Sequence, residues 1–386
     1  MNPNLKILSV SFGPISETRN GYFNLVNESV KALRKLCDVN TIEFVAGKDF
    51  NKVKELNDKS RFFVKIDGGM QGGFWYSKII TILLKSLELT NTIKKYDVIL
   101  IETSVFFPFA IIGKIFQKKV IFATHGIILE MAWHNKKRPV KYLEQLFQAY
   151  FLDKISSKIS DITLVTSNHD KELAIKYLHF DQDKIKIRPV VVSIQDIGQL
   201  SEYAKSTLRK RLGIPEGVFI GIITGDYSAE QNQKALDFLF STEHLFPDNF
   251  VILVIGKTND RYSSTGKIRV LGYVENVSDY YELANGLILP LSTGMGIKTK
   301  IIESMAHGLR IFTTSIGLLG IDLEGSDGIY TYDLTDVWER FKLDISKTES
   351  WEKCQKLIDL YLRKYSNGSL EKSLSSILCS LNDNLV

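Results

Sequence analysis

The chain has 386 residues, of which 44% are hydrophobic and 24% charged, with a formal net charge of +5. That length suits two globular cores, and the composition excludes collagen-like, low-complexity and disordered classes. Three cysteines (Cys37, Cys354 and Cys379), odd in number and far apart, exclude a disulfide framework and a cysteine metal cluster.

The positive balance is mild. It permits an anionic ligand or an acidic membrane surface, a solvated excess of lysine is the simpler cause, and no concentrated basic stripe points to nucleic acid. The start, MNPNLKILSVSF, runs directly into a strand without signal-peptide anatomy. The most apolar stretch, VFFPFAIIG from Val105, is far short of a membrane span and contains Pro108. The expectation is a cytoplasmic protein, at most peripheral at the inner face of a membrane.

Residues 5–12 (LKILSVSF) read as the first strand, followed by the glycine-bearing loop GPISETRNG and a helix over residues 22–36 with apolar spacing at Phe23, Val26, Val30 and Leu33. Doubly wound α/β domains often begin this way, although the loop is not GxGxxG and carries no dinucleotide fingerprint. Strands follow at 40–45, 62–66, 98–101, 120–123, 162–166 and 185–188, separated by helical stretches of which 76–94 and 140–158 are the clearest. The alternation predicts a mostly parallel sheet covered on both faces, with ligands beyond the C-terminal strand ends.

Three segments belong at those ends: 13–21, 124–126 and 167–169. His125 directly follows a strand and precedes Gly126. An imidazole there suits binding of a hydroxyl or stabilisation of developing charge, although the residues by themselves favour a histidine that merely caps the loop. His169, just inside a helix start, reads as a surface residue.

The pattern fades over residues 190–201, which marks the passage to a second domain. A helix at 202–212 and a glycine turn at 213–217 precede a strand from Val218, a loop opened by Gly225 and a helix to about residue 240. Strands begin at Phe250 and Lys267, and a helix spans 277–284.

The most informative stretch is 286–314, GLILPLSTGMGIKTKIIESMAHGLRIFTT. It predicts strand, glycine turn, a helix over 298–307, a left-handed stop at Gly308, and strand. A helix N-terminus offers unpaired N–H groups and the positive end of a dipole, so a glycine turn before it suits phosphate. Helix starts prefer acidic residues by roughly 0.3–1 kcal/mol, so Lys298 and Lys300 there imply that a ligand supplies the negative charge. The plain alternative is a surface pair between Lys300 and Glu303.

Asp181 and Asp183 have the spacing of a metal-binding pair, but HFDQDKIKI reads as a turn into a strand, and no set of residues has zinc spacing. The remainder is helical, at 337–341, 350–365 and 370–381.

The run from GDYSAEQNQKALDFL through FVILVIG to VLGYVENVSDYYELANGLILPLSTGMGIKTKIIESMAHGLRIFTTSIGLLGI resembles the donor domain of GT-B glycosyltransferases, of the family-4 retaining type. The likeness covers about residues 218–321; the N-terminal half is similar in layout. It implies an α/β fold of two doubly wound parallel-sheet (Rossmann-like) domains facing a cleft. An acceptor-side domain would span 1–195 and a nucleotide-sugar donor domain 196–362, with a terminal helix at 363–386 possible on the N-terminal domain.

The implied activity is transfer of a hexosyl group from a nucleotide-sugar to a saccharide or lipid-linked acceptor, with retention, in polysaccharide or glycoconjugate synthesis. No cofactor and no metal are required on this reading. Carried over, Glu303 grips the ribose hydroxyls, which a carboxylate does by accepting two hydrogens. Lys298, Lys300 and the N–H groups of Gly294, Met295, Gly296 and Ile297 neutralise the diphosphate. Gly225 and Gly21 admit backbone close to the donor, Tyr273 and Val274 lie along the base, and His125 contacts the donor sugar.

Two departures stand out. Many relatives carry another glutamate where this sequence has Met295, and many carry an Arg and a Lys in the loop after Gly225, where only Lys234 is present. The acceptor, and a weak contact with a membrane surface, are expected at FWYS (74–77) and AWHNKKRPVKY (132–142), although these also read as solvated loops. A nucleotide-sugar epimerase of the same fold, or a non-catalytic sugar-nucleotide-binding partner, are the alternatives.

Overall fold

The computed structural model describes residues 4–15, 21–53, 60–66, 75–194, 197–198, 200–258, 261–325, 327–346 and 352–382. The chain divides into two compact units, Met1–Val191 with Asn367–Val386 and Val192–Ser366.

The first unit is built on seven parallel strands: β1 (Lys6–Gly13), β2 (Asp38–Ala46), β3 (Arg61–Ile66), β4 (Val98–Ile101), β5 (Lys119–Ala123), β6 (Ile162–Val165) and β7 (Ile185–Ile187). Their order is β3-β2-β1-β4-β5-β6-β7, with the reversal between β1 and β4. Ile7 pairs with Val98 and Val10 with Ile101, and all four residues of β4 are buried, as a central strand covered on both faces requires. The helix Asn367–Asn382 packs against the helix Gly21–Arg34. Its Leu370, Leu374, Ile377, Leu378 and Leu381 join Val26, Val30 and Leu33 in one hydrophobic core, at the helical spacing that makes one apolar face.

The second unit carries six parallel strands: β8 (Phe219–Thr224), β9 (Phe250–Ile255), β10 (Ile268–Gly272), β11 (Gly286–Leu289), β12 (Arg310–Thr313) and β13 (Ile329–Thr331), in the order β10-β9-β8-β11-β12-β13. Here the reversal falls between β8 and β11, where Leu287 pairs with Ile222. The C-terminal ends of these two strands are neighbours, so the loop after Thr224 and the loop after Leu289 emerge side by side. Open α/β sheets bind ligands at such a reversal.

Some elements differ from the sequence expectation. The stretch 140–158 is a helix Pro139–Phe147, a π-helical segment Gln148–Asp153 and a helix Lys154–Ile159. The apolar segment from Val105 contains a helix, Phe107–Ile115, with Pro108 in its first turn, where the missing N–H costs no hydrogen bond. Strand β13 is too short and too weakly patterned to be read from sequence.

Candidate functional site

Strand β11 ends at Leu289, and the loop that follows leads into the helix Thr299–Ala306. Gly296 (φ 62°) and Gly308 (φ 63°) occupy the left-handed region, the first turning the loop and the second ending the helix. Lys298 stands just before the helix rather than in its first turn. It is buried, and its Nζ donates to the carbonyls of Met295 (3.0 Å) and Gly296 (2.7 Å). Its charge lies against the loop, but its protons stitch the loop together.

Lys300 takes the other route. Its Nζ donates to Asn232 Oδ1 at 2.9 Å, a neutral partner from the helix Glu230–Ser241, instead of forming the surface pair with Glu303 that the spacing allows. A Cβ at position 225 would lie 3.1 Å from that Nζ and from Asn232 Nδ2, so any larger residue there presses on the pair. Burial brings Lys300 down to about 8, against the pull of Glu303 and with a smaller push from Lys298. An ammonium with a neutral partner gains strongly from an approaching anion.

Glu303 lies further along the same helix. Tyr281 donates its hydroxyl to Glu303 Oε2 at 2.9 Å and lies 2.9 Å from Thr224 Oγ1. Burial raises the Glu303 carboxyl above its usual range, with the Tyr281 bond and Lys300 opposing. Tyr281 stacks on His307, the centroids 5.2 Å apart and the planes 6° from parallel. His307 is held by Glu282 Oε1 (2.7 Å) and Ser278 Oγ (3.2 Å). Burial alone would raise Glu282; the His307 bond, Lys353 and the Gly198 N–H outweigh it and bring it to about 2. Lys353 donates to the Tyr281 carbonyl at 2.9 Å.

Above this network is a cavity of about 330 Å3, lined by residues 192–194 and 275–278 with Tyr281, Glu303 and His307. Tyr273 is exposed and Val274 half-buried, and the lining begins one residue later, at Glu275. The structure thus gathers Gly225, Lys300, Glu303 and the loop 294–298, while Tyr273 and Val274 stay outside the cavity lining.

In the first unit His125 follows β5. Its Nε2 lies 3.0 Å from Glu102 Oε2, and Arg188 Nη1 donates to both Glu102 oxygens at 3.0 and 2.9 Å. Tyr22 packs against the imidazole at 4.3 Å. Burial lowers His125, with Glu102 opposing, so the ring is neutral at pH 7. Burial alone would raise Glu102, but Arg188 and His125 outweigh it and hold the carboxylate below its usual range. With the Nε2 proton directed at Glu102, the buried Nδ1 is left as an acceptor without a protein partner.

Gly21 opens the helix Gly21–Arg34, and a Cβ there would meet nothing within 4 Å; the residues before it, 16–20, lie outside the described set. His169 is half-buried just inside the helix that starts at Asn168, its Nε2 3.3 Å from Glu130 Oε1. Asp181 accepts from the Asp183 N–H at 3.1 Å within a turn. Among the described residues no group of three or more His, Cys, Asp or Glu is placed to hold a metal. Phe74 of the FWYS segment lies outside the described residues, and residues 75–77 open the helix Trp75–Glu88.

Sequence reasoning missed Asn232, Tyr281, Glu102 and Arg188. Asn232 is an uncharged residue in the first turn of an ordinary helix, and Tyr281 is one of two adjacent tyrosines in another. Glu102 and Arg188 each follow an apolar strand immediately, which is the one signal available in the chain.

Residues 219–341 match the profile of the family described as glycosyl transferases group 1. The second unit carries a group 1 domain. That match spans β8 to the helix Val337–Ser346 and includes Gly225, Asn232, Tyr281, Lys300 and Glu303. The chain is 24% identical over 242 residues to the Escherichia coli UDP-Gal:alpha-D-GlcNAc-diphosphoundecaprenol alpha-1,3-galactosyltransferase, covering 58% of this chain and 59% of that relative. The match therefore spans less than two thirds of the curated relative.

Among solved structures, Anabaena HepE in complex with UDP superposes with a TM-score of 0.72 at 13% identity, over 97% of this chain and 100% of that one. Sucrose-phosphate synthase from Thermosynechococcus elongatus gives 0.71 at 12% identity, over 99% and 100%. A UDP-GlcNAc 2-epimerase from Methanocaldococcus jannaschii gives 0.56 at 11% identity, over 97% and 100%. At these identities the likeness concerns the fold, which is GT-B.

Proposed function

We propose that the protein is a glycosyltransferase that moves a hexosyl group from a nucleotide-sugar, with uridine diphosphate as the carrier, to a saccharide or lipid-linked acceptor. The observation that carries this reading is Lys300, half-buried on a neutral partner between two glycine loops, one helical turn from a carboxylate that faces a cavity. Lys300 and the N–H groups of the loop 294–297 take the diphosphate, and Glu303, aimed by Tyr281, takes the ribose hydroxyls.

Reaction breaks the bond between the anomeric carbon and the β-phosphate oxygen. Charge grows on that phosphate, and fixed positive groups stabilise it more in the transition state than in the ground state. The acceptor oxygen bonds to the anomeric carbon on the same face and its proton passes to the departing phosphate, so configuration is retained and neither metal nor cofactor is needed. His125 is assigned a contact with the donor sugar. The uridine preference is supported by the HepE complex and by the relative's donor; the lipid-linked acceptor is supported by the relative's name.

The test is a thermal-shift screen of nucleoside diphosphates and their sugars, followed by product analysis with chelator present. Ligand at a hundred times its dissociation constant adds about 2.7 kcal/mol of stability. The reading expects a shift with uridine ligands that is lost in Glu303→Ala and Lys300→Ala, and sugar transfer or slow donor hydrolysis. Absence of any shift in folded protein sinks it. Conversion of the donor without an acceptor favours the epimerase, and binding without turnover favours a non-catalytic partner.

A further inference from the structure

Two helical stretches of the first unit are built inside out. In the helix Trp75–Glu88, Lys78, Ile82 and Ser86 are buried, whereas Ile80, Leu83, Leu84 and Leu87 are 57, 45, 60 and 57% exposed. The spacing of the four apolar residues makes one stripe, the one a surface helix ordinarily turns inward. A lysine takes its place inside, and burial holds its ammonium below the usual range, with Glu144 opposing.

The run from Pro139 to Ile159 repeats the inversion in part, with Ala149 and Leu152 still turned inward. Gln145, Asp153, Ser156 and Ser157 are buried, and burial pushes Asp153 up to about 7. Outward stand Val140, Leu143, Phe151 and Ile155, 70, 64, 57 and 40% exposed. Phe147 and Phe151 stack at 5.0 Å across the join with the π-helical segment. The helix Phe107–Ile115 packs against both Trp75–Glu88 and Lys154–Ile159, and adds Ile111 and Ile115 to the exposed surface. Patches this large on a soluble unit mark an interaction site.

Charge indicates the partner. Lys136, Lys137, Arg138 and Lys141 are exposed at the start of the second stretch, with Lys154 and Lys158 further along. The nearby carboxylates are Glu88, paired with Lys85, half-buried Glu144, Asp161, paired with Lys114, and Asp181 and Asp183, which share a surface hollow with Lys158, so the cationic excess lies at residues 136–141. We propose that this face docks on the anionic surface of a lipid bilayer, its apolar stripes at the boundary of headgroups and acyl chains and its cations on lipid phosphates. Among the described residues no helix is long and apolar enough to cross a membrane, so the contact lies in the plane of the interface. A second copy of the chain fits less well, because two-fold pairing sets the same cations into one shared rim.

The inference is independent of the proposed reaction, since it is read from lipid binding without turnover. The full chain is sedimented at low salt with vesicles of phosphatidylcholine alone or mixed with phosphatidylglycerol. Expected is sedimentation with the mixed vesicles that is released by salt. Leu84→Ser with Phe151→Ser, and separately Lys136→Glu with Lys137→Glu and Lys141→Glu, each bind about tenfold more weakly or worse, with unchanged melting temperatures. Wild-type protein that stays in the supernatant overturns the proposal, as does sedimentation untouched by both variants or equally strong on neutral vesicles. A dimer seen by light scattering, dissolved by the serine variant and without vesicle binding, assigns the face to a second copy and also overturns it.

Discussion

Each unit holds a cation near a C-terminal strand end, buried Arg188 in one and half-buried Lys300 in the other, and the two are treated in opposite ways. Arg188 is closed off by a carboxylate, with both Glu102 oxygens on one of its nitrogens. Lys300 is held by an amide oxygen and by nothing charged within bonding distance among the contacts around it. A buried cation bonded to a carboxylate has its charge answered within the protein. A half-buried cation bonded to an amide keeps most of its field for a ligand, while its desolvation lowers its affinity for the proton. The same sheet topology thus supplies a scaffold in one unit and an anion receptor in the other, and the difference lies in one partner side chain.

Breaking the scaffold has the largest expected effect. Glu102→Ala leaves the Arg188 charge buried and unpaired, and the cost is about 3–5 kcal/mol of stability in chemical denaturation. Next is the receptor. Lys300→Ala is expected to weaken nucleoside diphosphate binding by about 1.5–3 kcal/mol, roughly ten- to a hundredfold by calorimetry, because the lost bond is to a charged group. The melting temperature of the ligand-free protein should fall little or rise, since a desolvated charge is removed.

The pH dependence sharpens the contrast. Lys300 binds phosphate as the ammonium, which the free protein loses as pH rises through about 8. Affinity should therefore fall above that point, by up to about tenfold per pH unit for one linked proton. Affinity also falls on the acid side as Glu303 takes up a proton, earlier than for an ordinary carboxylate because burial raises it. Lys300→Arg removes the alkaline limb and leaves the acid one; an unchanged alkaline limb in that variant assigns it to another group. The smallest effect is that of Tyr281→Phe, which keeps the stack on His307 but deletes the bond to Glu303. About 0.5–1.5 kcal/mol of donor affinity should be lost, with the pH profile of the Glu303 limb displaced.

Much of this was legible in the chain. Strands such as VILI and GLIL are short apolar runs that only a two-sided sheet buries, so twelve of the strands could be placed to within two residues. The anion loop was legible because its signal is local, two glycines and one lysine ahead of an eight-residue helix that carries a second lysine in its first turn. What escaped was non-local. Asn232 meets Lys300 only because β8 and β11 are neighbours at the reversal of the sheet, and Glu102, after β4, meets Arg188, after β7, only across β5 and β6. The lysine inside the helix Trp75–Glu88 escaped for a different reason: periodicity locates an apolar stripe but does not say which way it faces.

The helix Asn367–Asn382 has a consequence for synthesis. A ribosome delivers the whole of Val192–Ser366 before Leu370 and its neighbours leave the exit tunnel, yet those leucines complete the core begun by the first strand. The nascent polypeptide can therefore finish its second unit while the first, although translated earlier, still exposes the groove along Val26, Val30 and Leu33. For this protein the order of translation and the order of completion are reversed.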